Sequence, residues 1–270
     1  MLDVHPPHNP THTWRDFFIH VATICVGLLI AIGLEQGVEL VHHRHEITEA
    51  REALRAERED SRKLFAQQIV YFRRETAALE NNLDVLLYLQ RHPGASPDQL
   101  PGVLTWHYEA EPFPESAWVT AQQAGVTALM SRAEVRQYST LYAQFHLIDA
   151  RLSDYQIAVV EAERYSVQDS DPTHLAPSAL ADEIELTKTA LLKHLEHGVL
   201  LFNLAALYPD FSYRPRVADL QTIVHFPDTY PPSVAGPLAR TIQRIDAAGK
   251  AADWFPQAPS SGQPSTPPKP

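Results

Sequence analysis

Six side chains just behind an apolar run are the ones best placed to do chemistry: Glu35, Glu39, His42, His43, His45 and Glu46. On a helix, Glu35, Glu39, His42 and Glu46 fall at i, i+4, i+7 and i+11, which is one face. Glu39-Leu-Val-His42 is an E-x-x-H pair, the spacing with which di-iron helical bundles present their ligands. Such bundles need a second E-x-x-H and two further carboxylates, and the sequence has no second E-x-x-H. His194-Leu-Glu-His197 supplies an H-x-x-H instead. A metal site would therefore be drawn from Glu39, His42, His43, His194 and His197, provided folding brings the two segments together. The competing expectation is a polar collar at a membrane exit, where a glutamate four residues before a base supports a helix. His5, His8 and His12 lie among prolines at 6, 7 and 10, which exclude a helical ligand set there.

Other reaction chemistry is absent from the pattern. There is no G-x-S-x-G, no H-E-x-x-H and no phosphate-binding glycine loop. Cys25 is the only cysteine and lies inside the apolar run, so no intrachain disulfide and no cysteine zinc site can form. Glu183 and Glu185 read as solvated helix acids, and Trp118, Tyr142 and Phe145 as core. The net charge of -11 leaves no basic stripe to neutralise phosphates, which argues against a nucleic-acid partner. The reading favours a non-enzymatic chain without a cofactor.

The elements that must position these residues begin with an anchor. Phe17 to Leu34 reads FFIHVATICVGLLIAIGL, without a formal charge. Its eighteen residues span roughly 27 Å as a helix, near the thickness of a bilayer's hydrocarbon. Trp14 and Arg15 precede it, as suits a headgroup region, and Phe17, Leu28, Leu29, Ile30 and Leu34 face lipid. Residues 1–16 form a short tail and 17–41 the transmembrane anchor and its exit. Gly33 and Gly37 have the spacing of a helix-dimer motif.

Apolar residues then recur at threes and fours from Ile47 to Leu86, weakened at Glu57 and Ser61, with a coiled-coil-like rhythm from Phe65 onward. No proline occurs between Thr13 and His92, so the anchor runs into one long helix over about 42–91. Further helices are expected at about 115–168, 178–207 and 234–250, the first opening at Ser116 as a cap and interrupted near Gly125 or Ser131. VADLQTIVHF, within a proline-punctuated stretch, reads as a short helix or strand. The tail 251–270 is low-complexity and disordered. The fold class is all-α: an N-terminal transmembrane helix continuing into an antiparallel helical bundle on a coiled-coil-like stalk, with residues 42–250 as the helical domain.

The segment HTWRDFFIHVATICVGLLIAIGLEQGVELVHHRHEITEAREALRAE resembles a group of bacterial single-pass membrane proteins. Their span ends in G-L-L-I-A-x-G-x-E-Q-x-V-E, matched here by Gly27, Leu28, Leu29, Ile30, Ala31, Gly33, Glu35, Gln36, Val38 and Glu39, with His42 and His43 following. The match covers about the first sixty residues; FPESAWVTAQQAGVTALM, with Trp118, Ala121 and Gly125, is similar to the group less specifically. The resemblance implies a membrane location and a helical fold, and no activity. The group's N-terminal tails are commonly more basic than this one.

The expected partners are the lipid bilayer and either a second copy or another membrane protein. The expected location is a bacterial inner membrane. A count of lysine and arginine favours the C-terminal domain in the cytoplasm. An uncleaved anchor and the resemblance favour the periplasm, which is the expectation adopted.

Overall fold

A computed structural model describes residues 14–106, 111–167, 169–211 and 234–250. The described residues form five α-helices: α1 Trp14–Arg91, α2 Ser116–Gln123, α3 Arg132–Glu163, α4 Pro177–Leu207 and α5 Ala235–Lys250. Short 3-10 turns occupy Pro97–Gln99, Val126–Leu129, Pro172–His174 and Pro209–Phe211. Among the described residues there is no strand. The expected tail 1–13, the stretch VADLQTIVHF and the segment 251–270 lie outside the described residues.

The first helix is continuous because nothing in its sequence breaks it. Its 78 residues span roughly 117 Å. It stops where Pro93 follows and Gly94 takes a left-handed φ of 85°. Expected boundaries for α4 and α5 hold within a residue. The interrupted helix expected over 115–168 is α2, a 3-10 turn and α3, with the break falling between Gly125 and Ser131. Gly125, at φ 73°, turns the chain, and Ser131 then caps α3 in a reciprocal box with Glu134. Ser116 is not a cap: its hydroxyl donates to Glu57 across the interface.

Contacts at successive heights give the helix directions. Glu134, Tyr142 and Tyr155 of α3 meet Arg51, Glu57 and Glu75 of α1, so α3 runs parallel to α1. His194 meets Phe72 while Asp210, just past α4, meets Arg58, so α4 runs antiparallel. In α5, Thr241 meets Asn81 and Arg244 meets Asp84 and Glu80. α4 is thus antiparallel to α1 and α3, while α1 and α3 run side by side in the same direction.

The cause is a strap that carries the chain from the far end of α1 back toward its middle. Extended backbone exposes unpaired N–H and C=O groups, and these must be satisfied. Amide side chains of α1 do so: Asn81 donates to the Val103 carbonyl (2.7 Å), and Asn82 both donates to Thr105 O (2.7 Å) and accepts from Thr105 N (2.9 Å). Gln68 donates to Glu111 O at 2.7 Å. Gly102 is required here, since a Cβ would collide with Asn81 and Thr241.

The core lies between α1, α3 and α4. Phe113 stacks on Phe145 at 4.3 Å, Trp118 on Tyr142 at 5.5 Å, and Phe65 meets Phe211 edge-on. Trp118, Tyr142 and Phe145 are core, as expected. A second cluster, with Leu79, Leu152, Val159 and Ala190, continues it toward the far end. Burying each such large side chain contributes about 1.5–3 kcal/mol.

Candidate functional site

Among the described residues, nothing packs over the N-terminal third of α1. Phe17, Leu28, Leu29, Ile30 and Leu34 are all exposed. An 18-residue window in this stretch has a mean hydropathy of 2.5, and none of it is buried. It is one candidate span, long and apolar enough to cross a membrane. Trp14 forms an aromatic patch at its start, stacked on Phe17 and edge-on to Phe18. Gly27, Gly33 and Gly37 have open space beside them.

Past the span, five of the six singled-out side chains, Glu39, His42, His43, His45 and Glu46, pair along the helix, His45 with Glu49. His43 meets Glu39 at 3.8 Å, His42 meets Glu46 at 3.2 Å and His45 meets Glu49 at 3.1 Å, all at i,i+4. Such exposed pairs support a helix by only about 0.2–0.5 kcal/mol each. They form a collar of separate pairs.

The five residues proposed for a metal do not meet. His194 stacks on Phe72 at 4.4 Å, and Phe72 lies 30 residues along α1 from His42, or about 45 Å. Glu39, His42 and His43 therefore share no site with His194 and His197. Among the described residues no three His, Cys, Asp or Glu side chains converge as a metal ion would need. The reason is topological: α4 descends only as far as Arg58, well short of the collar.

A groove does form between these regions. It holds about 670 Å³ between α1 and α2, floored by Ala50, Ala53, Ala117 and Ala121 and rimmed by Glu46, Glu49 and Asp60. Its α1 wall continues the face of the collar. Glu35, Glu39, His42, Glu46, Ala53 and Glu57 lie within about 60° of one another round the helix. Arg44 and Arg55, both exposed, sit roughly 160–180° away.

Glu57 closes the inner end of the groove. It is buried, and each carboxylate oxygen is occupied. One accepts from the Tyr142 hydroxyl at 2.5 Å; the other accepts from Ser116 Oγ and Ala117 N, both at 2.8 Å. The two bonds from α2 hold the start of that helix to α1, as a carboxylate at a helix N-terminus does well. Burial, then the bond to Glu57, pushes the Tyr142 phenol far up, so it stays protonated as a donor. In the sequence Glu57 looks like a weak point in an apolar seam. Its spacing from Leu54 and Ser61 was the signal that it faces inward.

Farther along, polar groups are sealed in. His194 Nε2 donates to the Phe72 carbonyl at 2.8 Å, and its Nδ1 lies 3.7 Å from Glu75. Burial drives His194 down to about 3 and His197 to about 4, so both are neutral. Glu183 is a correction: it is fully buried, not solvated, and burial pushes it up to about 7. Glu185 is exposed beside Lys188. The ring of Tyr155 closes over His194 at 4.5 Å. This cluster is a packed interior.

The usable features are thus an exposed apolar span, a charged collar and an acidic groove with a small-residue floor. Compared with known proteins, the chain matches no family model, no curated protein and no solved structure.

Proposed function

We propose that the chain is a single-span protein of a bacterial inner membrane whose helical domain is a non-enzymatic interaction module. One observation carries the reading: a single unbroken helix is wholly exposed over its apolar third and buried among α3, α4 and α5 over its other half. An exposed apolar surface of that length is stable in lipid and costly in water. The same helix then forms the central post of the bundle, so the domain's height above the membrane is set by helix rise. Pairs spanning other elements, such as Arg58 with Asp210 and Arg51 with Glu134, brace that post. The domain is placed in the periplasm, in keeping with an uncleaved anchor and with the resemblance in residues 12–57.

The experiment has two parts. A C-terminal epitope is tested for protease digestion in intact spheroplasts, with lysed controls; digestion is expected. The untagged chain is then purified in mild detergent and its mass and companions measured. A lone monomer with no co-purifying protein would overturn the interaction reading, and extraction into buffer without detergent would overturn the span.

A further inference from the structure

We propose that the groove between α1 and α2 receives a basic helix of a second membrane protein, one that rises from the bilayer parallel to α1. The inference rests on the interaction-module reading and names its partner's chemistry.

The groove has the shape for a helix. The groove's α1 residues Glu46, Ala50, Ala53 and Glu57, with Glu39 and His42 below them, follow one another at steps of three or four, the spacing along which two helices run side by side. Its floor is alanine on both walls, so another backbone can approach closely. The volume of about 670 Å³ leaves room for the apolar side chains of one helix face.

Charge selects the occupant. Glu46, Glu49 and Asp60 rim the groove, with Glu35 and Glu39 below it on the same face. Among the described residues, the cations that meet these acids are His42, His43, His45 and Lys63, each a neighbour on α1 itself. Lysines or arginines from outside would therefore find acids held only by exposed local pairs. A second copy does not fit: two such faces would oppose glutamate to glutamate. The exposed Arg44 and Arg55 lie on the far side of α1, so a two-fold pair cannot bring them to the groove.

The bilayer sets the direction. Glu35 sits where the apolar run ends, and a carboxylate at that depth is stabilised by a facing cation. A partner reaching Glu35 and Asp60 together must leave the membrane beside α1, with basic residues over its first turns.

The test uses the full chain in its native membrane, with a photocrosslinking amino acid at Ala53, Ala124 or Arg55. The proposal expects an adduct from Ala53 and Ala124 and none from Arg55. Mass spectrometry should place the crosslink in a lysine- or arginine-rich helix adjoining a membrane span. The double variant Glu46→Lys, Glu49→Lys should lower adduct yield at least tenfold, and reversing the partner's basic residues to glutamate should restore it. Ala53→Trp, which fills the groove, should abolish capture by Ala124. Denaturation midpoints of the purified variants establish that they fold. Crosslinks between two copies, to an acidic or apolar segment, or equally from Arg55 would each overturn the proposal. If a protein still co-purifies with the chain while all groove variants leave capture unchanged, the groove assignment fails and the interaction module stands. If nothing co-purifies, both fall.

Discussion

Two neighbouring stretches of α1 use the same residue type in opposite ways. In the collar, Glu39, Glu46 and Glu49 sit on the surface and pair with histidines one turn away. Higher up, Glu57 is enclosed, and its bonds come from α2 and α3, 59 to 85 residues distant in sequence. A carboxylate on α1 is worth little where water can replace its partner. It is worth several times more where its partners are the only groups present. What separates the two stretches is the strap, which brings Pro114 to Ala117 down onto α1 at Glu57 and no farther.

The largest expected effect is at Glu57. Glu57→Ala strands the Tyr142 hydroxyl and two donors at the start of α2, and should cost about 3–4 kcal/mol in urea denaturation. Glu46→Ala, eleven residues away on the same face, should change stability by less than about 0.5 kcal/mol. Equal effects would erase the contrast. Gly198→Val comes next, because a Cβ there runs into the Phe72 ring. Overpacking of this kind should cost about 2–3 kcal/mol. Asn82→Ala removes both bonds to Thr105 and should cost about 2 kcal/mol. It should also speed proteolysis of the strap, while leaving the far-end pair Arg164–Asp182 intact by NMR.

A smaller effect should appear as pH dependence. His194 and His197 have folded values of about 3 and 4, below the free value of 6.5. Their stabilisation is full above pH 6.5 and drains away as pH falls toward those values. Glu183 and Asp149, raised by burial to about 7 and 6, have the opposite sign. Their contribution is greatest at low pH and is lost as pH rises from about 4 to 7. The two sets cancel between about pH 4.5 and 6.5, so stability should be nearly flat there and fall below it. Glu183→Gln removes one opposing group, and stability should then decline from pH 6.5 downward. A flat profile for that variant would show that Glu183 is hydrated. The smallest effect is at the collar: His45→Ala should leave the denaturation midpoint unchanged within error.

Much of the helical framework was legible. Proline and glycine positions bounded α1 and α4, and apolar spacing marked which faces are covered, because both are local properties of the chain. Two things were not legible. The spacing around Ser116 to Glu163 predicted one interrupted helix, but nothing local showed that α3 would run parallel to α1. The roles of polar residues on α1 were hidden for a related reason: Glu57 reads as a weakening of the seam, and Asn81, Asn82 and Gln68 carry no local signal, until α2 and the strap that they hold are in place. Glu183 looked solvated because it sits beside Asp182 and Glu185, and only the packing of α4 turns it inward.

By itself the sequence determined the apolar run, its uninterrupted continuation as a helix, and the 4-3 spacing that places glutamates and alanines on one face. Those follow from rise, period and the absence of breakers. Only the tertiary structure decided which glutamates are enclosed, that the two histidine pairs lie about 45 Å apart, and that α2 turns one face of α1 into a groove. Burial and partnership depend on which distant segment arrives, and the strap that delivers it is held by bonds no local pattern encodes.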